Sequence, residues 1–197
     1  MSNLTKLTSY SINGLWCSVK LPQSITAISA DQCGPFDFSL CTNLTSVTIT
    51  ATNNATYTTT AWENCVKSLQ NCTKLQSFSI GRTYNFKYSF LSDYLGDLPN
   101  LKTLKLGQIQ SSKNSAWYDL YTLNGLEGMT NIEKLEINHL YVKDISALSN
   151  LTNLKILSLQ NQEIQDISAI SNLINLEYLY LNDNKINDIK SLEKLVN

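Results

Sequence analysis

The sequence predicts an α/β solenoid of about eight coils, with a parallel β-sheet on its concave face and short helices and 3₁₀ turns on its convex face. Three observations predict it. A six-residue apolar frame recurs in phase along the chain, its spacing settles to 22 residues towards the C-terminal end, and the composition supplies a core. Of 197 residues, 43% are hydrophobic and 16% charged, which is ample apolar material for burial.

The frame is plainest where it is most regular. MTNIEKLEINHLYVKDISALSN (129–150), LTNLKILSLQNQEIQDISAISN (151–172) and LINLEYLYLNDNKINDIKSLEK (173–194) are each 22 residues long. Aligned, they place Ile132, Leu154 and Leu176 together, then Leu135, Leu157 and Leu179, then Ile137, Leu159 and Leu181. Followed backwards, the same L-x-x-L-x-L unit appears as LKTLKL (101–106), LQSFSI (75–80), LTSVTI (44–49), ITAISA (25–30) and LTSYSI (7–12). Alternate residues of each L-x-L point inward as a short strand, and stacking merges these rows into a core that no single repeat could build. The pattern L-x-x-L-x-L-x-x-N-x-I resembles a leucine-rich repeat. One such domain is expected over 1–197, irregular over 1–128 and regular over 129–197.

Three residues beyond each unit, leucine-rich repeats usually carry an Asn that satisfies backbone groups of the turn. Here the position holds Leu15, Cys33, Thr52, Thr83, Ile109, Leu140, Gln162 and Asn184, spaced 18, 19, 31, 26, 31, 22 and 22 residues apart. Only Asn184 fits the rule, and looser turns are expected where Leu15, Ile109 and Leu140 stand. The longer coils have room for helix. AWENCVKSLQN puts Trp62, Val66 and Leu69 on one face, and Thr60 with Glu63 has capping-box spacing. Phe86, Phe90 and Tyr94 form a second stripe, stopped at Gly96, and Trp117, Leu120, Tyr121 and Leu123 or Asn124 form a third. The 22-residue coils leave space only for short 3₁₀ or extended segments.

The last three repeats, with DISALSNLTNL (144–154), DISAISNLINL (166–176) and LYLNDNKI (179–186), resemble those of bacterial internalins and of the leucine-rich-repeat regulators of protein phosphatase 1. That resemblance implies protein binding through the concave face. It brings in two further expectations, an internalin-like surface adhesin or recognition domain and a regulatory subunit of an enzyme such as a phosphatase.

Chemistry is sparse. The 15 Lys+Arg and 16 Asp+Glu give a net charge of -1, which offers no electrostatic reason to approach nucleic acid or an anionic membrane. Charges are uneven, 11 in residues 1–100 and 20 in 101–197. No run nears the roughly 18 to 20 apolar residues of a membrane helix, so no membrane insertion is expected. The opening MSNLTKLTSYSING lacks a basic segment followed by an apolar one. A cytoplasmic location is the expectation, with the cell surface or secretion as the alternative. His139 is the lone histidine, and no G-x-S-x-G, H-E-x-x-H, G-x-G-x-x-G or phosphate loop is present, so neither enzymatic activity nor a cofactor or metal is expected.

The cysteines at 17, 33, 41, 65 and 72 contain no C-x-x-C pair and read as core thiols. Cys41 and Cys72 occupy the same phase in adjacent coils, close enough across a parallel sheet for a disulfide in an extracellular protein. Five N-x-[ST] sequons, at Asn3, Asn43, Asn54, Asn71 and Asn150, arise mostly from the repeat's own Asn-Leu-Thr wording, and Asn54 is the best candidate for glycosylation.

The x residues of x-L-x-L-x project from the concave face. In the first four coils they are mostly small, with Ser9 and Ser11, Ala27 and Ser29, Ser46 and Thr48, and Ser77, Ser79 and Gly81. The fifth coil brings Thr103, Lys105 and Gly107. In the last three the residues are Lys134, Glu136 and Asn138, then Ile156, Ser158 and Gln160, then Tyr178, Tyr180 and Asn182. A protein partner is expected on these last nine, with Lys134, Glu136, Ile156, Tyr178 and Tyr180 as its centre, because tyrosine contributes area and a hydroxyl at low entropic cost. The final coil, ending LEKLVN, is expected to be capped by further repeats, a partner or another copy.

Overall fold

Each L-x-L unit forms a short strand, and the strands stack in chain order because every inward side chain meets its equivalent in the next coil. The computed structural model describes residues 7–13, 21–51, 58–81, 86, 89–107, 122–138 and 141–195. Among these, eight strands form one parallel sheet: β1 (Ser9–Asn13), β2 (Ala27–Cys33), β3 (Ser46–Ala51), β4 (Ser77–Gly81), β5 (Thr103–Gly107), β6 (Lys134–Asn138), β7 (Ile156–Ser158) and β8 (Tyr178–Tyr180). Leu15, Cys17, Thr52, Thr83, Ile109, His139 and Leu140 lie outside the described residues, as do Trp117, Leu120, Tyr121, Asn3 and Asn54.

The register is the one the sequence phase predicts. Ser9, Ala27, Ser46, Ser77, Thr103, Lys134, Ile156 and Tyr178 pair in succession across the sheet. Behind them runs an inward row of Ile28, Val47, Phe78, Leu104, Leu135 and Leu157, all buried. Tyr10 and Leu179, at the first and last described strands, are only partly buried, since each has a neighbouring coil on one side. One buried cluster continues from Leu21 to Leu173.

The convex side follows coil length. Helix α1 (Thr59–Lys67) buries Trp62, Cys65 and Val66. Its N-cap is Thr58, whose hydroxyl accepts from the Ala61 amide at 3.2 Å; Thr60 lies inside the first turn, so the predicted cap is displaced by two residues. Helix α2 (Ser89–Leu95) buries Phe90, Leu91 and Leu95. Gly96 ends it where a Cβ would come within 2.7 Å of the Ser92 carbonyl. The two helices are tied by Tyr94, whose hydroxyl donates to Glu63 at 2.8 Å. The 22-residue coils carry 3₁₀ segments at Ser146–Leu148, Ser168–Asn172 and Lys190–Lys194. No helix of the described residues is long and apolar enough to cross a membrane.

The turn position works as a ladder between coils, with more chemistries than asparagine alone. Asn184 donates from Nδ2 to the Leu159 carbonyl of the previous coil at 2.7 Å and accepts from the Ile164 amide at 3.2 Å. Gln162 does the same one coil earlier, donating to Ile137 and accepting from Val142. At the N-terminal side the Cys33 thiol donates to the Asp31 carbonyl of its own coil at 3.0 Å, with the Ile12 carbonyl of the previous coil farther off at 3.8 Å. A second ladder uses the Asn of the Asn-Leu step: Asn100, Asn153 and Asn175 donate to Thr73, Thr130 and Thr152 of the coil before, each at 2.8 Å. Asn43 joins it through Gln23 at 3.2 Å, so its side-chain nitrogen already serves coil stacking.

Candidate binding face

Strand alternation places three rows of side chains on the concave sheet, and over the last coils those rows enclose a groove of about 330 Å³. It is lined by Lys134, Glu136, Ile156, Ser158, Gln160, Tyr178 and Tyr180, which brings together seven of the nine residues expected there. Asn138 and Asn182 belong to the third row but do not line the groove; the backbone carbonyl of Asn182 accepts from the Asn161 amide at 2.9 Å.

The groove has two chemically different ends. At one, Tyr178 and Tyr180 are 54% and 43% exposed on β8, with the half-buried Ile156 beside Tyr178 in register. Large aromatic area held in water on a rigid strand is unusual unless something covers it. Ser158 is buried, because it stands in register between the longer Glu136 and Tyr180 and forms floor rather than wall. At the other end, Glu136 takes Lys134 on Oε1 at 2.7 Å and Lys105 on Oε2 at 2.9 Å. Burial raises the Glu136 carboxyl, but the hydrogen bonds and charges of the two lysines outweigh it and hold the group below the usual glutamate range.

Lys105 is the residue that the sequence reading left out of the contact zone. Its place beside Glu136 follows from the pairing of β5 with β6, across a 31-residue interval of the chain. The signal was its position in the concave row, one coil before an acidic residue.

Sequentially equivalent strands in one open parallel sheet, closed by amide and thiol ladders between coils, decide the architecture. The fold is that of a leucine-rich-repeat solenoid. Solved structures of the same kind agree. Internalin C2 of Listeria monocytogenes superposes with a TM-score of 0.59 at 22% identity, covering 88% of this chain and 69% of that one. Human 5T4, a trophoblast glycoprotein described as Wnt-activated inhibitory factor 1, gives a TM-score of 0.59 at 14% identity, over 93% of this chain and 72% of that one. No protein-family model matches the sequence, and no curated protein matches it.

Away from the groove, the two cysteines singled out as a potential disulfide are neighbours in adjacent coils. The Cys72 thiol donates to the Cys41 carbonyl at 3.4 Å, and the Cys41 thiol to the carbonyls of Leu21 and Pro22 at 3.7 and 3.8 Å. Both are free thiols and fully buried in this structure. Burial pushes the Cys41 thiol up to about 11, with Asp37 adding to the effect, and the Cys72 thiol up to about 12.

Proposed function

We propose that this solenoid is a non-catalytic protein-binding module that captures its partner on the concave face of its last three coils, with Lys134, Glu136, Ile156, Tyr178 and Tyr180 at the centre. The observation that carries the reading is the pair of half-exposed tyrosines on β8, set on a rigid sheet beside an ion-paired cluster. Alternation along β8 puts both rings on the same face of the sheet, where one contacting segment can cover them together. The likeness to internalin C2 and 5T4 supports the fold on which this depends.

A photoreactive phenylalanine analogue introduced at position 178 tests it, with the same group at Leu40, exposed and off the sheet, as the control. Crosslinking of one discrete protein from position 178 and not from position 40 is the expected result. Equal crosslinking from both positions would remove the concave face as the docking surface.

A second reading, a recognition domain displayed at the cell surface, draws on the likeness to internalin C2. It predicts an oxidised Cys41–Cys72 pair in protein from the native source, which thiol mass spectrometry would detect.

A further inference from the structure

We propose that the groove selects an acidic segment of its partner, an extended stretch that seats an apolar or aromatic side chain on Ile156, Tyr178 and Tyr180 and delivers a carboxylate to Lys105 and Lys134. This rests on the concave groove being the docking surface and adds what that surface recognises.

The charge balance inside the groove is the argument. Two ammonium groups share the single Glu136 carboxylate, at 2.7 and 2.9 Å, which leaves one positive charge in excess. Each ammonium has three N–H donors and gives Glu136 one. The lysine side chains are still 33% and 44% exposed, so donors remain available to an incoming anion. The neighbours along the concave rows are neutral. Thr103 and Ser79 stand on one side, and Ile156 and Ser158 on the other. The next row outward, Lys102, Glu133, Lys155 and Glu177, alternates in sign and sums to zero. Lys102 and Lys155 both pair with Glu133, at 3.4 and 2.8 Å. The lysine pair therefore sets the local field, and it sits in a concavity, where field lines focus.

Geometry fixes the spacing of the two features. Lys134, Ile156 and Tyr178 are successive members of one row. Two strand spacings separate the first from the last, about 10 Å. An extended peptide covers that distance in about three residues. A basic segment would meet the lysine excess unpaired, and a neutral one would leave the ammonium donors without a new acceptor as their water is displaced.

The test uses a displayed library of random linear peptides selected on the full chain, with the enriched peptides synthesised and titrated. Enriched peptides should carry Asp or Glu within about three residues of an apolar anchor. Combining Lys105→Met with Lys134→Met should weaken them about tenfold, while the Arg replacements keep affinity and Glu136→Gln tightens binding a few-fold. Replacing the peptide carboxylate by its amide should weaken binding to the native chain but not to the Met variant, where Glu136 is left without its two lysines. Circular dichroism of each variant reports folding. Peptides that depend on Tyr178 and Tyr180 yet are neutral or basic, or ignore the lysine pair, would overturn the acidic preference alone. Peptides that bind Tyr178→Ala with Tyr180→Ala as tightly as the native chain, or no enrichment at all, would overturn the docking surface beneath it.

Discussion

The side chain of Gln162 donates to the backbone carbonyl of Ile137, one coil back, at 3.3 Å, and its oxygen accepts from the Val142 amide at 3.0 Å. Gln162 is 4% exposed and Val142 fully buried, so truncating the carboxamide strands polar backbone groups away from water. Gln162→Ala is expected to lower stability by about 2 to 3 kcal/mol. The check is urea unfolding, where the midpoint should fall at unchanged slope. Gln162→Asn should retain most of the stability, because Asn184 makes the same bonds one coil later. A change under about 0.5 kcal/mol for the alanine variant would show that the coil closes without this bond.

Tyr141 sits in the left-handed backbone region at φ 57°, with its ring 59% exposed. Asn161 and Asp183, two places earlier in the repeat of the two following coils, adopt the same conformation, with side chains that tolerate it; the repeat counterparts of Tyr141 itself are Glu163 and Lys185. A tyrosine there carries strain of about 1 kcal/mol with little burial in return. Tyr141→Asn is expected to raise the melting temperature, worth roughly 0.5 to 1 kcal/mol. A fall instead would mean that the ring holds a contact of its own.

Buried thiols make the fold sensitive to alkali. Burial pushes Cys41 from an ordinary 9.0 up to about 11, and Cys65 and Cys72 up to about 12. As pH rises above 9, unfolded chains release protons that the folded protein retains, so stability present below pH 9 declines up to about pH 11 for Cys41 and about pH 12 for Cys65 and Cys72. The slope is about 1.4 kcal/mol per pH unit for each such thiol. Urea midpoints measured across this range should fall steadily, and Cys72→Ala should flatten the decline. A midpoint independent of pH over the same interval would contradict the burial of these groups as thiols.

Phase along the chain was enough to read the sheet. The inward residues recur so strictly that a one-residue slip would turn Phe78 or Leu135 to solvent, so the pairing of Ser9 through to Tyr178 was legible despite unequal coil lengths. The helix cap was less so. Thr58, Thr59 and Thr60 carry identical hydroxyls, and which one accepts from the Ala61 amide is set by where the coil enters the helix rather than by local sequence. Lys105 escaped the contact zone because its bond to Glu136 exists only after β5 and β6 pair. Ser158, expected among the concave contact residues, is buried at the bottom of the groove, since burial there depends on the length of two neighbours in other coils.

The most direct test of the concave docking surface is the affinity of Tyr178→Ala with Tyr180→Ala for the partner crosslinked from position 178, measured alongside thermal unfolding. Both tyrosines are about half exposed and outside the buried core, so the melting temperature should stay near that of the native chain while affinity falls tenfold or more, to about a hundredfold. Native affinity in the double variant, with the fold intact, would contradict the account.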